Sequence, residues 1–146
     1  MSPLIEYRNL KPSHYDDIVA VWNESGLPCR IKGRDSREAL TREMKRMPEL
    51  FLGAFSAEKL IGTVIGTYDG RKGCVNRLAV LPSFRRQGIA EKLISLCEER
   101  LRKMDAKVIC CFVEKYNAAS FTLFTKLGYH LHDDMLYLSK RDGPEY

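Results

Sequence analysis

The sequence predicts an α+β domain built on a mixed, mostly antiparallel central sheet flanked by about four helices. Three observations predict it. Runs with β-type and helical spacing follow one another in the order β–α–α–β–β–β–α–β–α–β. Three of the β-rich runs, residues 50–55, 60–68 and 74–81, are joined by short turns, which is the pattern of an antiparallel meander. After the longest amphipathic stretch comes an almost continuous apolar run, residues 108–113, expected to be a central strand buried on both faces. At 146 residues the chain fits one domain with a core of ordinary size, residues 1–146.

Residues 4–10 hold Ile5 and Tyr7 in alternation and open the fold as a strand. Lys11-Pro12-Ser13 begins a helix, with Ser13 as its expected N-cap and Asp16 and Asp17 favourable in the first turn. Ile18, Val19, Val21 and Trp22 give it an apolar face, and Gly26 ends it. Trp22 is read as core. Residues 27–34 form a basic loop without periodicity. Asp35 or Ser36 is placed to cap a second helix that turns Leu40, Met44 and Met47 inward and stops before Pro48. Ser56-Ala57-Glu58-Lys59 and Asp69-Gly70-Arg71-Lys72-Gly73 make the turns of the meander. Asn117 is a cap for a final helix, and Gly128 stands where a left-handed residue closes one. Residues 129–138 alternate loosely and are expected to complete the sheet. Residues 139–146 are polar and are expected to fray.

The stretch from Val75 to Leu101 organises the rest. A short β-type run is stopped by Pro82, which has no N–H for a ladder. The basic turn Arg85-Arg86-Gln87-Gly88 follows, and Ile89, Leu93, Leu96, Cys97, Leu101 and Met104 then keep helical spacing. Strand, glycine turn and helix in that order suit anion binding. The first amides of a helix lack internal partners, and the macrodipole adds partial positive charge there. Gly88 removes a Cβ that would hold a phosphate off the backbone, while Arg85 and Arg86 add charge and donors.

Arg85-Arg86-Gln87-Gly88-Ile89-Ala90 resembles the Arg/Gln-x-x-Gly-x-Gly/Ala acetyl-CoA signature of the GNAT superfamily of N-acetyltransferases. The likeness extends to Leu78-Ala79-Val80-Leu81-Pro82 upstream, and downstream to Asn117 with Leu123-Phe124-Thr125-Lys126-Leu127-Gly128-Tyr129. The resemblance implies a sheet whose fourth and fifth strands splay apart to admit the pantetheine arm of the coenzyme. It implies a bulge in the fourth strand, with amides around Leu78, Ala79 and Val80 receiving the thioester carbonyl. The pyrophosphate is then expected on the amides of Arg86, Gln87, Gly88, Ile89, Ala90 and Glu91. Asn117, beside its role as a cap, matches an asparagine that often lies along the pantetheine arm, and Phe124 falls at a position close to the coenzyme. The segment between the first two helices commonly borders the acceptor site in this family. Arg30, Lys32 and Arg34 are therefore candidates for holding an anionic group of the acceptor, beside the plainer reading of a solvated basic loop.

The proton-transfer residues of the family do not carry over. Where many members place a tyrosine in the last helix, this chain has Phe124, which has no hydroxyl; Tyr129 fills a later aromatic place that is usually a packing position. Positions on the fourth strand that often hold Glu or His correspond here to Cys74 and Asn76. Asn76 is a candidate for orienting a water, and Glu114 and Tyr116, after the fifth strand, are candidates for catalytic roles. Asp69 is either a proton relay or a turn residue. Cys74 is the one cysteine that would suit an acyl-enzyme, although a small core residue is the plainer reading. His130 and His132 share a face of the expected last strand but have no third ligand, so no metal is called for. The expected activity is acetyl transfer from acetyl-CoA to a primary amine of a small molecule or protein, by direct attack in a ternary complex. The alternative is a catalytically weak acyl-CoA-binding sensor or assembly module on the same scaffold, and Phe124 favours it.

Composition bounds the remaining classes. With 45% hydrophobic and 29% charged residues the chain has the make-up of a soluble globular protein. No apolar run approaches a membrane span, and Met-Ser-Pro-Leu-Ile-Glu lacks the regions of a signal peptide. The five cysteines form no CxxC pair and read as reduced, which fits the cytoplasm. A net charge of +5 is spread through both halves with few interleaved aromatics, which argues against a nucleic-acid platform. A homodimer is compatible with the family resemblance, but no stretch marks an interface.

Overall fold

The computed structural model describes residues 4–146, so Met1, Ser2 and Pro3, the beginning of the stretch read for a leader, lie outside it. Five strands form one sheet in sequence order: β1 (Ile5–Asn9), β2 (Phe51–Ser56), β3 (Lys59–Tyr68), β4 (Lys72–Val80) and β5 (Val108–Cys110). The first four pair antiparallel and β5 pairs parallel with β4. Among the described residues four α-helices accompany them: α1 (Tyr15–Glu24), α2 (Arg37–Arg46), α3 (Ile89–Lys103) and α4 (Ala118–Lys126). This is the mixed, mostly antiparallel sheet with four helices that the element order predicts.

Both faces of the sheet are covered, which is why β2 is buried along its whole length and β3 from Leu60 to Gly66. On one face α3 lays Leu93, Ile94, Cys97 and Leu101 against the strands, all fully buried. A Cβ at Gly66 would stand 2.9 Å from the Cys97 sulfur, so that glycine sets how closely helix and sheet approach. The other face carries Ile18, Val21 and Trp22 of α1, with Leu40 and Met44 of α2 in the same core. Trp22 is wholly buried, and its indole N–H donates to the Thr63 hydroxyl at 3.0 Å, so burial leaves no orphaned donor.

Several local expectations are corrected. Ser13 is not the cap of α1: a 3₁₀ turn, Pro12–His14, leads into the helix, and its N-cap residue His14 makes no side-chain cap bond. Ser36, not Asp35, caps α2, accepting from the Ala39 amide. The strand expected over residues 108–113 is only three residues long and lies at the sheet edge, with Phe112 exposed to 70%. The cause lies further along the chain. Residues 129–138 form no strand, because Asp133 and Asp134 turn the chain in mid-segment and Asp is a poor strand residue. Leu131, Met135, Leu136 and Leu138 are left exposed, and Tyr137 packs its ring 5.1 Å from that of Phe112. The expected fraying of residues 139–146 is opposed at Glu145, whose carbonyl accepts the Arg34 amide at 3.4 Å and would collide with a Cβ at Gly33.

The end of α4 follows expectation closely. Gly128 has φ +97°, its amide bonds to the Thr125 carbonyl, and the Tyr129 amide bonds to that of Phe124. These are the two bonds of a Schellman motif, and the rings of Phe124 and Tyr129 meet edge to face at 5.0 Å.

Candidate functional site

The fourth and fifth strands separate. They pair only at Lys72–Val108, Gly73–Ile109 and Cys74–Cys110, and beyond Cys74 the outer edge of β4 has no partner strand among the described residues. On its inner edge β4 runs with β3 from Val80 back to Ala79, then shifts register: Asn76 faces Ile65 and Ala79 faces Thr63, so Arg77 and Leu78 together oppose Val64. That two-against-one count is a β-bulge. Leu81 donates its amide inward to Ile61. Amides alternate along a strand, so that of Val80 points outward, into the split; the Arg77 carbonyl is turned in to the Thr63 hydroxyl, so the Leu78 amide of the same peptide points the opposite way. The family resemblance expects free amides for a thioester carbonyl at this place.

The bulge is strained and tied down. Arg77 has φ +52°, a left-handed conformation that costs a non-glycine residue roughly 1–2 kcal/mol. Its carbonyl accepts the Thr63 hydroxyl at 2.9 Å, and Thr63 in turn accepts the Trp22 indole. Its guanidinium lies 4.2 Å over the Trp22 ring and 2.8 Å from Asp35 Oδ2. Asp35 is 5% exposed, and the same oxygen accepts the Arg30 amide at 2.7 Å, with Arg34 at 3.9 Å. The Asp35 carbonyl takes the Tyr15 hydroxyl at 2.7 Å. Burial pulls the Arg77 pKa down and Asp35 opposes it. A buried pair of this kind gains little over apolar packing, but removing one partner costs roughly 3–5 kcal/mol.

At the other end of β4, a 3₁₀ turn (Pro82–Phe84) delivers the chain to Arg85. The Arg85 guanidinium turns back to the carbonyls of Val80 and Ser25, at 3.2 and 3.4 Å, and so braces the strand end instead of lying free in the turn. Arg86 and Gly88 are both left-handed, at φ +64° and +77°, and Gly88 is the N-cap of α3 without any side-chain cap bond. A Cβ at Gly88 would meet nothing within 4 Å. The turn therefore needs glycine for its backbone conformation, and the space a side chain at Gly88 would enter, at the start of α3, is open. The Glu91 carboxylate leaves that space to pair with Lys126 of α4 at 2.9 Å. Arg86 and Gln87 are exposed on the turn.

Beside the split, on the face away from α3, lies an open cleft of about 380 Å³ lined by Thr67, Asp69, Lys72, Cys74, Asn76, Cys110 and Phe112 among others. The Asn76 amide donates to the Thr67 hydroxyl at 3.0 Å, and the Cys74 thiol lies 3.4 Å from the Asn76 carbonyl oxygen. Burial and the neighbouring thiol of Cys110 push the Cys74 pKa up to about 12, so the thiolate an acyl-enzyme would need is scarce. Asp69 accepts the amides of Arg71 and Lys72, both at 2.8 Å, which hold its carboxyl below the usual range and make it a turn residue.

The other predicted residues separate. Glu114 and Tyr116 are exposed on the loop after β5 and are not among the residues that line this cleft. Asn117 caps α4 through the Ser120 amide at 3.1 Å. Phe124 is buried, and the Tyr129 hydroxyl donates to Glu98 at 2.7 Å, its pKa raised by burial and by that carboxylate. Arg30, Lys32 and Arg34 do not line the cleft, and Arg34 shares Asp35 with Arg77. Sequence reasoning missed Asp35, Arg77 and Thr63 as a unit. An arginine within an otherwise β-type run was the signal available. Glu43 on α2 was missed too: burial and the nearby Asp35 push its pKa up.

A family model of the acetyltransferase (GNAT) family matches residues 15–129. The chain belongs to the GNAT family of acetyltransferases. It is 31% identical over 137 residues to acetyltransferase SG1711 of Sodalis glossinidius, covering 94% of this chain and 95% of that protein. Among solved structures it resembles the PaiA N-acetyltransferase of Thermoplasma acidophilum in complex with coenzyme A. That match has 26% identity and a TM-score of 0.77 over 91% of this chain and 92% of that one. The aminoglycoside N-acetyltransferase AAC(6')-Iy in complex with CoA shares the fold at 16% identity, with a TM-score of 0.72 and 97% of each chain covered. No helix among the described residues is long and apolar enough to cross a membrane.

Proposed function

We propose that residues 1–146 form one acetyltransferase domain that moves the acetyl group of acetyl-CoA to a primary amine of a small molecule or protein. The transfer is a direct attack in a ternary complex. One observation carries the reading: β4 and β5 part after Cys74, and the bulged edge facing that gap leads straight to the uncapped, glycine-started helix α3. The acetyl carbonyl lies against the outward amides of Leu78 and Val80, which stabilise the oxyanion of the tetrahedral intermediate. The pyrophosphate lies on the first amides of α3, with Arg86 adding charge. The amine approaches from the cleft at Thr67 and Asn76, where Asn76 orients it or a water. Direct attack is supported by the high pKa of Cys74, which makes that thiol a poor nucleophile for an acyl-enzyme.

That two GNAT structures similar to this one were solved with coenzyme A supports the choice of co-substrate. The neighbour AAC(6')-Iy, captured with a bisubstrate analogue of an acetylneamine, supports an amine acceptor. Free thiols at all five cysteines agree with a cytoplasmic setting. A homodimer belongs to the same proposal, supported by the outer edge of β5, where Val108 is half exposed and no partner strand lies among the described residues.

A sensor or assembly module is the second reading. Phe124 and the engagement of Tyr129 with Glu98 favour it, since neither offers a free hydroxyl to the departing thiolate. The deciding experiment is calorimetry with acetyl-CoA, followed by thiol release with a panel of amines. Binding with turnover supports the enzyme, and binding without turnover on any amine supports the sensor. No binding removes both readings.

A further inference from the structure

We propose that Arg77 is a positioning residue that holds the acyl-polarising edge of β4 in shape and couples it to the loop before α2. The inference rests on the acetyl-CoA reading above. A left-handed arginine within a strand persists only where its surroundings enforce it. Here every polar part of the residue that points inward is engaged. The carbonyl is held by Thr63, which is itself fixed by Trp22. The guanidinium is held between the Trp22 ring and the buried Asp35 carboxylate.

The next residue, Leu78, presents one of the amides assigned to the thioester carbonyl. Its direction depends on the dihedral angles of Arg77, because a bulge re-aims the groups that follow it. The far end of the network is a loop outside the sheet and the helices. Asp35 accepts the Arg30 amide, and Arg34 approaches the same carboxylate, so the loop carrying Arg30, Lys32 and Arg34 is tied to the bulge through one side chain. An acceptor that pulls on this loop is thereby felt at the carbonyl site. This gives the basic loop a role that does not require it to line the cleft.

The test needs no knowledge of the acceptor. Acetyl-CoA labelled with ¹³C at the thioester carbonyl is bound to wild type, Arg77→Gly, Asp35→Asn and Thr63→Val, and the carbonyl stretch is read by isotope-edited infrared spectroscopy. Glycine accepts the left-handed conformation, so Arg77→Gly relieves the strain and removes only the anchor. Thr63→Val keeps the ion pair and removes the hydroxyl on the Arg77 carbonyl, which covers the case of an ion-pair variant that does not fold. On wild type the band is expected to move to lower wavenumber than in solution. In the folded variants it should return at least halfway, while the Kd for acetyl-CoA stays within about threefold. With any amine that the wild type acetylates, kcat should fall roughly 100-fold.

A wild-type band position retained in Arg77→Gly would overturn the inference and leave the acetyl-CoA reading intact. Loss of coenzyme binding in the variants would also overturn it, because the network would then serve binding and not polarisation. Failure of wild type to bind acetyl-CoA is a separate result, which removes the reading beneath it.

Discussion

Gly88 offers a test with controls built into the same molecule. Gly26, Gly70 and Gly88 all have positive φ, at +80°, +95° and +77°, and at each an added Cβ would meet nothing within 4 Å. Alanine at any of the three should therefore cost only the left-handed strain, roughly 1–2 kcal/mol. For a domain near 150 residues each kcal/mol lowers Tm by about 2–4 °C, so the three variants should melt within a few degrees of one another. Coenzyme binding should separate them. A carboxylate about 5 Å from a phosphate charge is repelled by about 1 kcal/mol at the dielectric of water and about 3 kcal/mol at an effective value of 20. Gly88→Glu should then weaken acetyl-CoA roughly fivefold to two-hundredfold by calorimetry, with Gly26→Glu and Gly70→Glu near wild type. Equal affinity in Gly88→Glu and wild type, both folded, would refute the placement of the pyrophosphate on the start of α3. Equal loss in all three would refute the reasoning from open space.

Tyr129→Phe removes the bond to Glu98 and should lower stability by about 1 kcal/mol in urea titration. If the proposed transfer needs no hydroxyl from Tyr129, kcat with any accepted amine stays within about threefold of wild type. The raised Cys74 pKa leaves its thiolate fraction at pH 8 well below that of an ordinary cysteine. Iodoacetamide followed by mass spectrometry should mark Cys74 slowly, and an acetyl group trapped on it would contradict direct attack. Glu43 has its folded pKa raised, so its charge opposes folding once the pH climbs above the ordinary glutamate value. Glu43→Gln should raise Tm at neutral pH, with the gain vanishing as the pH falls below about 4.5, where the carboxyl is protonated folded or unfolded. A gain that persists in acid would point to packing instead of charge.

The sheet, the helices and the glycine turn were legible because each rests on a local rule. Period-two runs, helical spacing from Ile89 to Leu101 and the closing Gly128 are all written within a few residues of where they act. Asp35 shows the limit. In sequence it is one of two adjacent candidates for a helix cap, and Ser36 takes that role while Asp35 reaches a residue forty-two positions away. No local rule predicts such a pairing. The last expected strand shows a related limit. Loose alternation over residues 129–138 predicts a strand, but Asp133 and Asp134 turn the chain there, and β5 is left at the sheet edge. In the candidate site, the strand end and the turn came from motif and spacing. The strain at Arg77 and the engaged side chains of Arg85 and Tyr129 depend on tertiary contacts.

The bulge has a consequence for which side of the sheet each residue occupies. Val75 pairs with Gly66 and Val80 with Gly62, and both glycines back onto α3; Asn76 and Ala79 pair with Ile65 and Thr63 on the side of Trp22. Even-numbered Asn76 and odd-numbered Ala79 thus share a face, which a regular strand forbids. Straightening the strand with both residues kept would slide Ala79–Leu81 by one register position and invert their side chains relative to the helices. The strand is out of phase with itself by one residue, and the second half of the domain is folded around that offset.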